Sequence, residues 1–147
     1  MNRMSHRVLG LSLLSLALVG TAVADGLPRS PSAPDAEVYF ISPKSGSVIS
    51  GEVTIRFGLR GMGVAPAGTQ VENTGHHHLI IDSPLPDLNQ PIPMDDKHLH
   101  FGKGQTEVTL KLPAGKHTLQ LVFADGSHVP HTPPLVSEQI RLTTVGH

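Results

Sequence analysis

Histidine is the residue type in this 147-residue chain best placed to do chemistry: it occurs ten times, beside one tyrosine, no tryptophan and no cysteine. Imidazole serves as acid, base and metal ligand near neutral pH, so the spacing of the rings decides what they can do. Gly75-His76-His77-His78-Leu79-Ile80-Ile81-Asp82 reads as a strand. Side chains alternate along a strand, so His77, Leu79 and Ile81 share one face, while His76, His78, Ile80 and Asp82 share the other. His77 is the core-side member, expected to carry a buried hydrogen bond. His76 and His78 then stand roughly 6.7 Å apart, twice the rise of a strand residue, and both rings can lean onto one ion.

Asp95-Asp96-Lys97-His98-Leu99-His100-Phe101 repeats that parity, with Leu99 and Phe101 inward and His98 and His100 outward. If the two segments are neighbouring strands, four imidazoles converge on the outer side of one sheet. The loop between them can fold over the patch and bring Met94, Asp95 or Asp96 close, the carboxylates serving as hydrogen-bond partners for the distal ring nitrogens. His128-Val129-Pro130-His131 lies in a loop near a sheet end and either completes the site or caps loop backbone. The candidate metal ligands are therefore His76, His78, His98, His100, His128 and His131. His117 opens a strand on an aliphatic face and reads as structural, and His147 is the last residue of the chain. Imidazoles with nearby carboxylates suit Cu(II), Zn(II) or Ni(II), whereas Cu(I) prefers sulfur. Cu(II) and Zn(II) are the ions expected. Beyond the first 24 residues Met62 and Met94 are the sole sulfurs, too few for a methionine-rich copper carrier.

The elements that must position these rings are strands. Ala36 to Ile41, Val53 to Phe57, Gly75 to Asp82, His98 to Phe101, Thr106 to Leu112, His117 to Phe123 and Glu138 to Val145 alternate apolar and polar residues or carry strand-forming runs. Turn residues separate them at regular intervals, and no helix is expected after the leader. That makes about seven short strands, the pattern of a single immunoglobulin-like β-sandwich. A small barrel is the alternative. Residues 58–68 hold four glycines and a proline and read as a loop or bulged edge, and 126–134 reads as a loop. Residues 83–97 hold four prolines, so no regular element persists there, and a loop of that length is often functional.

At the start, Arg3, His6 and Arg7 precede the apolar run Val8 to Val19, and Ala22-Val23-Ala24 follows with small-x-small spacing. Residues 1–24 read as a cleavable signal peptide, too short to span a bilayer stably, with no lipidatable cysteine at the junction. Residues 25–35 read as a flexible Pro/Ser-rich tether and 36–147 as the β-sandwich domain. The protein is expected in the periplasm or secreted, with no stable membrane insertion. Without Arg3 and Arg7 the net charge of −1 becomes about −3, which offers no basic footprint for nucleic acid. Zero cysteines exclude a disulfide framework and thiolate sites.

The segments VYFISPKSG, GLRGMGVAPAG, ENTGHHHLIID, QPIPMDDKHLHFGKGQTEVTL, PAGKHTLQL and HVPHTPPLVSE together resemble a bacterial family of exported domains, domain-of-unknown-function family 4399. The resemblance runs from Val38 to about Leu142 and is most specific in GHHH and DDKHLHFGKGQT. It implies an exported β domain and carries over no catalytic residue. Copper–zinc superoxide dismutases also place His-x-His on a sandwich strand, but this chain lacks their cysteine pair and their spacing of bridging histidine and aspartate. Cleavage after Ala24 exposes Asp25, which removes the N-terminal ligand of a histidine brace. There is no Gly-x-Ser-x-Gly elbow, His-Glu-x-x-His or phosphate-cradling loop. The reading is a metal-binding module for Cu(II) or Zn(II) buffering, delivery or sensing. Its alternative is a metal-free envelope domain whose histidine patch meets a protein partner, with a metal-dependent enzyme third.

Overall fold

The computed structural model describes residues 27–146; the expected signal peptide and His147 lie outside the described residues. Ten strands follow one another: β1 (Glu37–Ser42), β2 (Ser47–Ser50), β3 (Val53–Arg60), β4 (Gly63–Val64), β5 (Thr74–Ile81), β6 (His98–His100), β7 (Glu107–Leu110), β8 (Gly115–Ala124), β9 (Pro130–Val136) and β10 (Ile140–Val145). No helix occurs among the described residues, so the chain is all-β there.

The strands form two sheets. β1, β3 and β7 make the smaller one, in the order β1-β3-β7. The larger runs β2-β10-β8-β5-β4, with β9 also paired to β8 and β6 also paired to β5. Alternation assigns each inner face. Val53, Ile55 and Phe57 of β3 are buried, while Thr54 and Arg56 between them are exposed. They meet Leu79 and Ile81 of β5, Leu119, Leu121 and Phe123 of β8, and Ile140 and Leu142 of β10 in one continuous apolar cluster. Burying such side chains is the main stabilising term, about 1.5–3 kcal/mol each relative to exposure.

The three strands beyond the expected seven are β2, β4 and β9. β2 was hidden by its brevity, and β4 is a two-residue bridge within the glycine-rich 58–68 segment. β9 contains Pro130, Pro133 and Pro134, which read as loop. It survives because its ladder with β8 is broken: Ala124 faces Pro130, then the register shifts before Phe123 meets Leu135. Prolines are tolerated at such an irregular edge, where no amide proton is demanded of them.

Residues 27–35, the described part of the expected flexible tether, are tied to the body. Arg29 donates from Nε to Pro130 O and from Nη1 to Asn89 Oδ1, and a further guanidinium bond reaches His131 O. Ser32 N donates to Thr132 O, and Thr132 N to Ser30 O. Side-chain anchors of this kind were not visible in a Pro/Ser-rich composition.

Two histidines belong to the framework. His117 places Nδ1 2.7 Å from Asp82 Oδ2 and Nε2 2.8 Å from the Pro113 carbonyl. Both oxygens accept, so the arrangement favours the imidazolium, the form that donates from both ring nitrogens. Burial pulls its pKa down, but the Asp82 and Pro113 hydrogen bonds and the Asp82 charge outweigh that, and the net shift is upward. The stabilisation is therefore complete below the unfolded value of 6.5 and lost as pH rises through the folded one.

His77 is the second. It sits on the core side, its ring 5.1 Å from both Phe57 and Phe123. The expected hydrogen bond is absent: neither Nδ1 nor Nε2 has a partner. The rings of Phe57 and Phe123 beside it offer no conventional acceptor, so a polar group is buried at a cost. Replacing an unsatisfied polar side chain by an apolar one of similar volume removes that cost. His77→Leu is predicted to raise the unfolding free energy by about 1–2 kcal/mol in urea titration; a loss of similar size contradicts the unpaired-ring account.

Candidate metal centre

β5 is the strand on which the site depends. It lies between β8 on one side and β4 and β6 on the other, so its backbone is paired along both edges. In the antiparallel register with β6, His78 faces His100, Leu79 faces Leu99 and Ile80 faces His98. That adjacency brings the two His-x-His segments together as expected.

Four rings then converge. His76, His78, His100 and His128 each offer a ring nitrogen, and all four atoms lie within 4.8 Å of one another. His76 Nε2 stands 3.1 Å from His78 Nε2 and 3.1 Å from His128 Nδ1. An ion with metal–nitrogen bonds of about 2.0–2.1 Å, held tetrahedrally, separates its ligand nitrogens by about 3.3–3.4 Å. These two separations are close to that spacing.

Protons alone satisfy this arrangement poorly. A neutral imidazole nitrogen carries either one hydrogen or one lone pair, yet His76 Nε2 faces two other nitrogens at once. His76 Nδ1, His78 Nδ1 and His100 Nε2 are buried with no hydrogen-bond partner. A cation accepting several lone pairs removes the conflict among the converging nitrogens, as a network of neutral rings cannot.

The surroundings disfavour protonation of His76, His78 and His100, and the neutral ring is the form in which imidazole ligates. Burial, helped by the charges of His100 and His128, pulls the His76 pKa down to about 4. Burial and the neighbouring His76, His100 and His128 pull His78 to about 2. His100 is lowered as well, by burial first and then by His128.

His76 and His78 are fully buried. The 83–97 loop packs on the same face of the sheet. Its Ile92 packs with Ile80, Val122 and Ala124, the residues that share the outer face of the sheet, and Leu88 adds to that cluster. Ile92 N also donates to His128 O, 3.0 Å away. His100 and His128 are half-buried and form the accessible side of the group.

His128 is delivered by a turn that Asp125 builds. Asp125 Oδ1 accepts from Ser127 N at 2.9 Å and Val129 N at 3.1 Å, and His128 N donates to Asp125 O. The turn holds His128 at φ +67°, a left-handed conformation that costs a non-glycine residue roughly 1–2 kcal/mol. Such strain, kept where it aims a ring into a cluster, is the pattern found at functional sites. Ser30 Oγ donates to Asp125 Oδ2, so the N-terminal segment braces this turn too. Gly102 clears space for His100: a Cβ there would stand 2.2 Å from the ring. Sequence reasoning missed both Asp125 and Gly102. The Asp125-Gly126 pair just before His128 was the available signal for a tight turn.

Two of the six expected ligands are not among the four that converge. His98 shares the face of His100, but its Nδ1 is 2.8 Å from Asp95 Oδ1. Asp95 also accepts from Lys97 N and His98 N, and the His98 ring followed by the Lys97 amide holds its carboxyl below the usual carboxylate range. Asp95 therefore serves the loop, while Asp96 and Met94 are exposed. His131 is buried against Phe123, 5.8 Å between stacked ring centres, with its nitrogens facing Phe123 O at 3.4 Å and Thr74 O at 3.2 Å. It caps backbone.

The depressed pKa values set the response of the metal-free domain to acid. His76, His77 and His78 stay neutral when folded to about 4, about 4 and about 2, against 6.5 when unfolded. Burial alone lowers His77. The unfolded chain thus binds more protons below 6.5, and stability falls as pH drops through that window. Near pH 5 the slope from three such groups is on the order of 3 kcal/mol per pH unit. The urea midpoint of the metal-free protein is predicted to collapse between about pH 6.5 and 4.5; a midpoint unchanged across that range contradicts the burial of neutral rings.

Comparison with known proteins adds the family. No curated protein matches the chain. Among solved structures, an endo-β-1,4-mannanase from Thermotoga petrophila is similar at 18% identity and a TM-score of 0.46. The match covers 77% of this chain and 20% of that one, so this chain spans about a fifth of the enzyme's length. A likeness that remote carries nothing about activity. The family profile described as Domain of unknown function (DUF4399) matches residues 55–145, a span that takes in β5, β6 and all four converging histidines. The chain belongs to the DUF4399 family.

Proposed function

We propose that this protein is an exported metal-binding module whose centre is His76, His78, His100 and His128, and that it buffers, delivers or senses a nitrogen-seeking divalent ion, Cu(II) or Zn(II). One observation carries the reading. Four ring nitrogens from two strands and a strained turn lie within 4.8 Å of one another, two of the rings fully buried. Neutral nitrogen donors with no carboxylate among them suit borderline ions and give little to Mg(II) or Ca(II), which seek oxygen.

Export to the periplasm, or secretion, is part of the proposal and is supported by the leader-like composition of residues 1–24. An immunoglobulin-like arrangement of the two sheets belongs to it as well. No helix of the described residues is long and apolar enough to cross a membrane. The alternative of a metal-free patch contacting an envelope partner is weakened by burial. His76 and His78 are fully enclosed, so a docking protein would reach only His100 and His128.

Titration of the untagged chain with Zn(II) and Cu(II) is predicted to give saturable 1:1 binding. His78→Ala with His100→Ala removes two of four ligands, and loss of one such ligand typically costs orders of magnitude in affinity, so binding should fall at least about 100-fold. His98→Ala and His131→Ala should leave affinity within a few-fold. Equal binding by the double variant overturns the proposal.

A further inference from the structure

The six separations among the four rings carry more than the presence of a site; they bear on its geometry, and this inference rests on the metal-binding reading. Five of the separations between ring centres are nearly equal: His76–His78 4.8 Å, His100–His128 4.8 Å, His76–His100 4.9 Å, His76–His128 5.0 Å and His78–His100 5.2 Å. The sixth, His78–His128, is 6.0 Å.

Compare these with the two ways four imidazoles surround one ion. With metal–nitrogen bonds of about 2.0–2.1 Å, each ring centre sits about 3.2 Å from the metal. A regular tetrahedron then puts all six separations at about 5.2 Å, whereas a square plane puts four at about 4.5 Å and two at about 6.4 Å. In a square the two long separations are diagonals and share no ring. If His78–His128 were one diagonal, His76–His100 would have to be the other, and it is 4.9 Å. The rings therefore outline a tetrahedron stretched along one edge.

The framework has reason to hold that shape. His76 and His78 are fixed by the β5–β8 ladder, and His100 by its pairing with β5. His128 comes from outside the sheet plane, on a turn whose backbone Asp125 ties at several points. Flattening to a square would require His128 to move while Ile92 N holds its carbonyl and Asp125 its turn.

We infer that the centre is a closed tetrahedral site filled by its own four imidazoles, selective for an ion content with that geometry, Zn(II), over tetragonal Cu(II) or Ni(II), and without a free coordination position. A d10 ion imposes no geometry of its own, while Cu(II) and Ni(II) with nitrogen ligands favour square-planar or tetragonal surroundings. A site whose four positions are all protein ligands matches the structural and storage class; catalytic centres keep one position for water or substrate. Holding, moving or sensing the ion follows, and hydrolysis at it does not.

Co(II) reports coordination number directly, because four-coordinate Co(II) absorbs visible light far more strongly than six-coordinate Co(II). The full chain loaded with Co(II) is predicted to show visible bands roughly tenfold or more above aqueous Co(II). Added azide should leave those bands unchanged in the parent and shift them in His128→Ala, where one position is opened. Weak six-coordinate bands, or an azide response in the parent, overturn the closed tetrahedron and leave metal binding intact. If Co(II) does not load while Zn(II) does, the EPR spectrum of the Cu(II) form decides: an ordinary tetragonal signal overturns the inference, and a strongly distorted one supports it. Failure to bind any of these ions overturns the inference and the proposed function together.

Discussion

The pairing of β5 with β6 is the constraint on which the site depends. Because His78 faces His100 across that ladder, two short His-x-His segments separated by a proline-rich loop become one cluster. A slip of one residue would turn His76 and His78 into the core and His77 out of it. Register is fixed by what lies on the other face: Leu79 packs in the core opposite Leu121 and beside Leu99, so the apolar pattern that builds the fold also orients the ligands.

A second constraint comes from outside the ladder. Ile92 and Leu88 pack over Ile80, Val122 and Ala124 on the outer face of the larger sheet, and two of the four rings on that face are fully buried. Buried, closely spaced imidazoles resist protonation, and their pKa values fall. The same enclosure that makes the metal-free state costly favours a cation able to accept several nitrogens at once. The turn at Asp125 adds the fourth ring at the expense of a left-handed residue. Stability is spent at one place for geometry, as function commonly requires.

Much of this was legible in the residues. Alternation placed His77 inward and His76, His78 and His100 together outward, and burial of His117 on an aliphatic face was read from its strand. What could not be read was the third dimension. His98 has the same parity as His100, but Asp95, three residues earlier, takes its ring. His128 and His131 stand three residues apart, yet Asp125 turns the first into the cluster, while the second lies on β9 and stacks on Phe123. The packing over the outer face came from Ile92, an apolar residue among prolines whose contacts no periodicity announces. The broken ladder of β9 hid a strand for the same reason: irregular pairing leaves no period in the sequence.

The central claim is that four imidazole nitrogens, and nothing else, surround one ion. X-ray absorption at the Zn edge of the metal-loaded protein measures that shell directly. The account predicts about four nitrogens at about 2.0–2.1 Å with the outer-shell scattering of imidazole. A shell of five or six light atoms dominated by oxygen, or one lacking the imidazole pattern, would contradict it.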